Sequence, residues 1–451
     1  MSRLMVSVSG VRGEIGQTLT PEVAARFGAA FGTMLGAGQR VVIGRDSRPS
    51  GPAIRNAVAA GLMACAVDVV DLGIVSTPGT SLMTRQLEAG GGVVITASHN
   101  PIAWNGIKFL RADGIGLFAE QAAELKEIWQ AGRFRYAEPT VCGRESRNPY
   151  THTRHVDAVL SIVDATAIAA RRFKVVLDSV NGAGGEATAS LLSKLGCELV
   201  HLNARPMGLF PHTPEPTAEN LTDLCEQVRR HRAAIGFAQD PDADRLALVD
   251  EQGRYIGEEY TLAIGAAATL ERRKGAMATN LSTSRMIDDI AAAAGVRVFR
   301  TPVGEANVAS RLVAEGCIFG GEGNGGVIDP RVVPVRDSLV GIALVLGHLA
   351  RTGKMLSQVV SGLPHYEIVK TKMPSGAEGP AGLIAAARRH FEGREGVRFD
   401  DSDGLRIDLP AGWVHVRGSN TEPIIRIMAE AADRATAEAL IAELRGLAPG
   451  N

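Results

Sequence analysis

Gly92-Val93-Val94-Ile95-Thr96-Ala97-Ser98-His99-Asn100-Pro101 decides how the rest of the chain is read. The apolar run is β-branched, too short for a helix, and bounded by an Asn-Pro turn signal, so a strand is expected. Its apolar residues are consecutive rather than alternate, which marks a strand buried on both faces, as in a helix-covered parallel sheet. A serine follows at once. Ligands in α/β folds sit at the carboxyl ends of such strands. Read alone, the stretch also fits a plain Asn-Pro turn with a solvated serine.

Working outward, Val41-Val42-Ile43-Gly44 reads as another strand, Pro52 to Val67 as a helix and Val69-Val70-Asp71-Leu72 as a strand. That is a βαβ pattern. Residues 139–154 are polar and aperiodic and suggest a boundary. A second unit opens with Phe173-Lys174-Val175-Val176-Leu177-Asp178 and closes with the hairpin-like pair Ala234–Phe237 and Leu246–Val249. A third starts near Glu258 and repeats the texture. Beyond Ser361 the pattern changes to short strands and a last amphipathic helix from about Ala435 to Leu447. The expected fold is therefore α/β: three related α/β units, 1–150, 151–252 and 253–366, then a smaller α+β unit, 367–451.

Composition agrees and narrows the function. A chain of 451 residues is too long for one core. A net charge of −1 argues against a nucleic-acid partner, and 4% aromatic residues against base-stacking platforms. No apolar run approaches the roughly 20 residues of a membrane span. Met1-Ser2-Arg3-Leu4 does not begin a signal peptide. The cysteines (Cys65, Cys142, Cys197, Cys225, Cys317) are scattered and odd in number, which fits reduced thiols in a cytoplasmic protein.

Asp240-Pro241-Asp242-Ala243-Asp244-Arg245 is the strongest local signal. Three alternating carboxylates between apolar strands repel one another unless a hard cation neutralises them. An EF-hand is excluded, because Arg245 stands where the loop needs glycine. So few carboxylates suit Mg²⁺ with a phosphate oxygen as a further ligand, and Arg245 suits the phosphoryl group. A solvated acidic turn is the bland alternative.

Arg417-Gly418-Ser419-Asn420-Thr421-Glu422-Pro423, with Arg426, offers free backbone N–H groups, hydroxyls and guanidinium forks for an anion, or else a simple hairpin turn. Gly320-Gly321-Glu322-Gly323-Asn324-Gly325-Gly326 is no P-loop. It sets Glu322 and Asn324 on a backbone that can approach sugar hydroxyls closely, or makes a tight structural turn. Lys108 is either a surface lysine or the cation beside a phosphate. Arg12 stands in the basic loop Ser9–Gly13, and Gly44-Arg45-Asp46-Ser47-Arg48 offers two more arginines and an acid in a second basic loop, or only an internal ion-pair network.

Taken together, in this order and at these separations, the stretches resemble the α-D-phosphohexomutases. These include phosphoglucomutase, phosphomannomutase and phosphoglucosamine mutase. The resemblance runs from Ser9-Gly10-Val11-Arg12-Gly13 to Arg426. It implies four domains around a central cleft and an exchange of hexose 6-phosphate with hexose 1-phosphate through a sugar bisphosphate. It implies that Ser98 is the phosphoserine, and that Asp240, Asp242 and Asp244 hold Mg²⁺ with its phosphate. Arg12, Lys108 and Arg245 would stabilise the transferring group, with Lys108 as proton shuttle and His99 beside the serine. Glu322 and Asn324 would bind the sugar. Arg417, Ser419, Asn420, Thr421 and Arg426 would hold the other phosphate. Glucose 1,6-bisphosphate or a similar bisphosphate would activate, and the protein would act as a monomer or homodimer.

Bacterial members usually carry Ser-Gly-His after the glutamate, and this chain has Asn324-Gly325-Gly326 instead. That string, with Thr301-Pro302-Val303-Gly304-Glu305 and Asn280-Leu281-Ser282-Thr283-Ser284-Arg285, is more similar to archaeal-type phosphoglucosamine mutases. The implied conversion is glucosamine 6-phosphate to glucosamine 1-phosphate. Phosphomannomutase/phosphoglucomutase activity is the near rival. A sugar-phosphate phosphatase and a non-catalytic sugar-phosphate sensor are rivals of other classes.

Overall fold

The computed structural model describes residues 4–375, 379–418 and 424–448. The first sheet contains the opening strand. Arg40–Arg45 lies between Asp68–Ile74 and Gly91–Ile95, all parallel, and Trp104–Arg111 returns antiparallel beside the last. The second sheet repeats this arrangement. Lys174–Asp178 lies between Glu198–Leu202 and Ile235–Gln239, with Leu246–Val249 antiparallel at the end. The third does so again with Met277–Asn280, Val298–Thr301, Phe319–Glu322 and the antiparallel Gly326–Ile328. The fourth sheet is antiparallel throughout and carries helices Pro380–Phe391 and Arg434–Arg445. The fold class read from the sequence is the one observed.

Two features differ from the linear reading. The polar stretch 139–154 is no bare boundary: Glu145–Arg147 adds a parallel edge strand to the first sheet, and Thr151–Leu160 is already helix. An exposed edge strand needs no apolar pattern, and Arg55 fixes this one by binding Glu145 at 2.6 Å. The second and third units also share one apolar core, in which Phe173, Leu191 and Phe237 pack with Phe319, Leu339 and Leu346. The first and fourth units have cores of their own.

Helix caps follow from local chemistry. The Thr20 hydroxyl accepts from Val23 N, with Pro21 in the first turn, and Asp337 accepts from Leu339 N and Val340 N. Helices Pro21–Leu35 and Gly51–Ala64 cross at glycine: a Cβ on Gly28 would overlap the Val58 carbonyl, and one on Gly61 the Ala25 carbonyl. Gly61→Val is therefore expected to cost about 1–3 kcal/mol by overpacking, read as a lower urea midpoint. An unchanged midpoint would mean that the crossing relaxes freely.

Candidate active site

The same turn carries candidate site residues in all three α/β units. It is the connection from the third parallel strand to its antiparallel neighbour. In the first unit it holds Ser98, in the second Asp240 to Arg245, and in the third Gly323 to Gly325.

Ser98 is buried and has a left-handed backbone, φ 51°. That conformation costs a non-glycine residue of order 1–3 kcal/mol and persists only when its surroundings over-determine it. Arg48 does much of that. Fully buried, it binds Asp46 at 3.0 Å and donates to the carbonyls of Ser98, Asn100, Pro101 and Trp104. Asp46 also accepts from Thr96 Oγ1 at 2.7 Å, and that oxygen accepts from Ser98 N at 2.9 Å. The ion-pair network read from Arg45-Asp46-Ser47-Arg48 thus shapes the serine loop. Arg12 donates to Asn100 Oδ1 at 2.8 Å. A ring nitrogen of His99 lies 3.3 Å from Ser98 Oγ. Burial, reinforced by the nearby charges of Arg245 and Arg12, pushes that imidazole down to about 2 and keeps it neutral.

The aspartate loop meets this serine directly. Ser98 Oγ donates to Asp240 Oδ2 at 2.9 Å, while Asp240 Oδ1 accepts from Asp244 N and Arg245 N. Asp242 Oδ2 accepts from Thr77 Oγ1 at 2.6 Å and from Lys108 at 2.7 Å. Asp244 Oδ2 accepts from Arg336 at 2.7 Å and lies 3.4 Å from Lys108. Burial with Asp244 and Asp242 alongside pushes the Asp240 carboxyl well up. Burial would also raise Asp244, but Arg336, Lys108 and Arg245 outweigh it and hold that group far below the usual range. Lys108 stays protonated, because Asp242 and Asp244 more than offset the cost of its burial.

Oxygens of the three carboxylates converge within 4.8 Å, and all three residues are fully buried. Asp242 Oδ1 and Asp244 Oδ1 have no hydrogen-bond partner. A small hard cation with oxygen ligands fits these orphaned acceptors, and Mg²⁺ is of that kind.

Glu322 is less open than its glycine-rich surroundings suggest. Its Oε1 accepts from Asn280 Nδ2 at 2.7 Å and Gly304 N at 3.2 Å, and its Oε2 accepts from Arg336 at 2.7 Å. Asn324 Oδ1 is buried without a partner, an acceptor suited to a hydroxyl donor. Arg336 is the buried cation of this site that the sequence reading missed. It joins Asp244 to Glu322, and its backbone N–H donates to Glu305 at 2.7 Å. The available signal was an Arg-Asp pair ending the Val-rich run Val332-Val333-Pro334-Val335, just before an apolar helix. Glu305, at the start of helix Glu305–Ala314, was quoted only as part of a motif.

Glu259 abuts this loop: a side chain at Gly323 would overlap its carboxyl group. Burial outweighs Lys370 and raises Glu259 from its ordinary 4.5 to about 7. A carboxyl that holds its proton more tightly when folded stabilises below its unfolded value, and that contribution is lost as pH rises through the folded one. Glu259→Gln is expected to flatten the dependence of Tm on pH between 4.5 and 7. An unaltered profile would refute this.

In the fourth unit Arg417 and Arg426 are register partners on adjacent strands, with Lys372 opposite Arg426 on the next. Three cations thus stand side by side across adjacent strands. Ser419, Asn420 and Thr421 fall outside the described residues. The fourth unit is docked on the third: Ser282 Oγ meets His415 Nδ1 at 3.0 Å, Asp403 accepts from Val303 N at 3.0 Å, and Arg285 donates to the Gly412 carbonyl at 2.8 Å.

Family models match the chain along almost its whole length. They are phosphoglucomutase/phosphomannomutase alpha/beta/alpha domain I at residues 3–136, domain II at 153–253, domain III at 257–366, and the C-terminal domain at 369–447. The chain belongs to the phosphoglucomutase/phosphomannomutase family and is a phosphohexomutase, an isomerase working by phosphoryl transfer. It is 42% identical to a phosphoglucomutase/phosphomannomutase of Thermococcus kodakarensis, over 94% of this chain and 93% of that one. It is 40% identical to a probable phosphoglucosamine mutase of Methanopyrus kandleri, over the same shares. A crystal structure of a phosphoglucomutase/phosphomannomutase family protein from Burkholderia thailandensis superposes with a TM-score of 0.88 at 30% identity, covering 99% of this chain and 98% of that one. Among the described residues no helix is long and apolar enough to cross a membrane.

Proposed function

We propose that the chain interconverts glucosamine 6-phosphate and glucosamine 1-phosphate through a phosphoserine at Ser98. One loop would come from each of the units 1–150, 151–252, 253–366 and 367–451. The observation that carries phosphoryl transfer is the hydrogen bond from Ser98 Oγ to Asp240, inside a buried aspartate triad faced by Lys108. Such transfer depends chiefly on positioning and charge neutralisation. Asp240, Asp242 and Asp244 would hold Mg²⁺, which when bound offsets charge on the phosphoryl oxygens. The bond from phosphorus to Ser98 Oγ breaks as one forms to a sugar hydroxyl oxygen. Lys108, protonated at rest, gives a proton to the serine oxygen, and the hydroxyl proton returns to it. Arg12 and Arg245 stabilise the group in transit, and neutral His99, 3.3 Å from Ser98 Oγ, can hydrogen-bond the serine oxygen without adding charge. Arg417 and Arg426, with Ser419, Asn420 and Thr421, grip the second phosphate. The bisphosphate then turns and returns its other phosphate to Ser98, and movement of the fourth unit gives it room.

The acidity of the third unit supports the amino sugar. Asp244, Glu305 and Glu322 surround a single buried guanidinium, Arg336, so carboxylates outnumber that cation three to one and the local field favours an ammonium group. The names of relatives such as the Methanopyrus protein point the same way.

The test is a mutase assay with Mg²⁺ and a trace of glucose 1,6-bisphosphate on glucosamine, glucose and mannose phosphates. Preference for the glucosamine phosphate, abolished by EDTA and restored by Mg²⁺, is the expected result. Preference for glucose or mannose phosphate would overturn the substrate and keep the mechanism. Release of inorganic phosphate in place of isomerisation would make the enzyme a phosphatase.

A further inference from the structure

A second charged cavity lies far from the serine. It has a volume of about 520 Å³ and sits between the second and third units. Phe173 and Lys174 line it where the strand Lys174–Asp178 begins, and Ala233 and Ala234 where Ile235–Gln239 begins. Asp240 follows the other end of that second strand. Five residues of strand span about 16 Å, so the cavity opens on the face of the sheet edge opposite the aspartate triad.

Its lining holds Arg171, Arg172, Lys174, Arg229, Arg232 and Lys354 against one carboxylate, Glu251. That carboxylate is already engaged by the hydroxyl and backbone N–H of Ser357. Lys174 pairs with Glu198 at 2.8 Å, and Arg229 donates to the Gly253 carbonyl at 3.1 Å. Among the described residues the side chains of Arg172, Arg232 and Lys354 make no hydrogen bond or ion pair, and Arg171 only lies over the Phe173 ring, 5.6 Å from its centre. The chain as a whole carries a net charge of −1, so this concentration does not reflect a basic protein. Three helices end here, at Ala170, His231 and Thr352. Each carboxyl end offsets about half a charge, well short of the cations present. Arg172 and Arg232 also hold left-handed backbones, φ 47° and 51°, positions that glycine fills without strain.

The floor is apolar, with Phe173, Leu349 and Leu356 buried beneath the cationic rim. The size is that of a small-molecule site, roughly 300–1,000 Å³. Guanidinium forks suit phosphate oxygens, and an apolar floor suits an uncharged planar body.

We propose that this cavity is a second, non-catalytic anion site that takes a small polyphosphate-bearing molecule, a nucleotide or a free polyphosphate. Occupancy braces the junction of the second and third units, because Glu251 and Met355–Leu356 reach its wall from either side.

The test uses the full chain, isothermal titration and thermal melting, with ATP and inorganic tripolyphosphate as separate probes without added metal. Saturable binding that raises Tm is expected, weakened about tenfold or more in Arg232→Ser/Lys354→Ser by the loss of charge-assisted hydrogen bonds. Mutase turnover should be retained, which also shows that the variant is folded. Were the double variant misfolded, Lys354→Ser, altered at an exposed residue, gives the same comparison. Binding of both probes assigns the polyphosphate group as the ligand; binding of ATP alone assigns a nucleotide. Affinity unchanged in the variants, or no binding of either probe, overturns the proposal.

Discussion

Ser98→Ala is expected to lower mutase turnover by roughly 10⁴-fold or more, as when the nucleophile of other covalent catalysts is deleted. The rest of the site stays in place. Arg48 holds the loop through the backbone carbonyls of Ser98 and Asn100, and Thr96 Oγ1 binds the residue 98 amide, so neither contact needs the hydroxyl. Asp240 loses its 2.9 Å donor but keeps two backbone N–H donors. Near-native Tm together with lost turnover is therefore the expected pair of results. Intact-mass analysis of wild-type protein incubated with a sugar bisphosphate should show one added phosphate that the variant lacks. Turnover surviving in the variant would eliminate the phosphoserine and leave direct transfer between sugars.

Arg336→Met has the larger effect on the fold. The arginine side chain is 9% exposed and pairs with Asp244, Glu322 and Glu305. Met fills similar volume but leaves buried carboxylates without their cation, and breaking a buried pair in this way costs about 3–5 kcal/mol. The urea midpoint in metal-free buffer should fall accordingly. Mg²⁺ should recover part of the loss, since a dication held by the aspartate triad would offset Asp244 and leave Glu322 and Glu305 without their guanidinium. Arg336→Lys should rescue only partly, because an ammonium does not reproduce the two-armed fork that holds Asp244 and Glu322 at 2.7 Å each. A metal-free midpoint like that of wild type would mean that these carboxylates simply take up protons when the arginine is gone.

The serine loop and the aspartate loop were legible because their signals are local. A β-branched strand ending in Ser98 and three alternating aspartates announce themselves within a few residues. Arg48 was legible as part of an ion-pair network, but not as the clamp on a loop 50 residues away. Arg336 was not legible, because its partners lie 92 and 14 residues away and an arginine after a valine run has no pattern of its own. The edge strand Glu145–Arg147 carried no apolar signature, since one side of it faces solvent.

The amino-acid sequence by itself determined the plan of three α/β units and one α+β unit and the groups available: one serine at a strand end, one acidic triad, one glycine-rich carboxylate loop. Short-range rules of strand, turn and charge spacing suffice for these. Only the tertiary structure decided that the same strand-to-strand turn is used in all three α/β units, that Ser98 meets Asp240 at 2.9 Å, and that Arg336 ties the aspartate triad to Glu322. Contacts of that kind depend on how separate sheets pack against one another, and the free energy that fixes them resides in burial and long-range charge pairing, neither of which leaves a mark in a local stretch of residues.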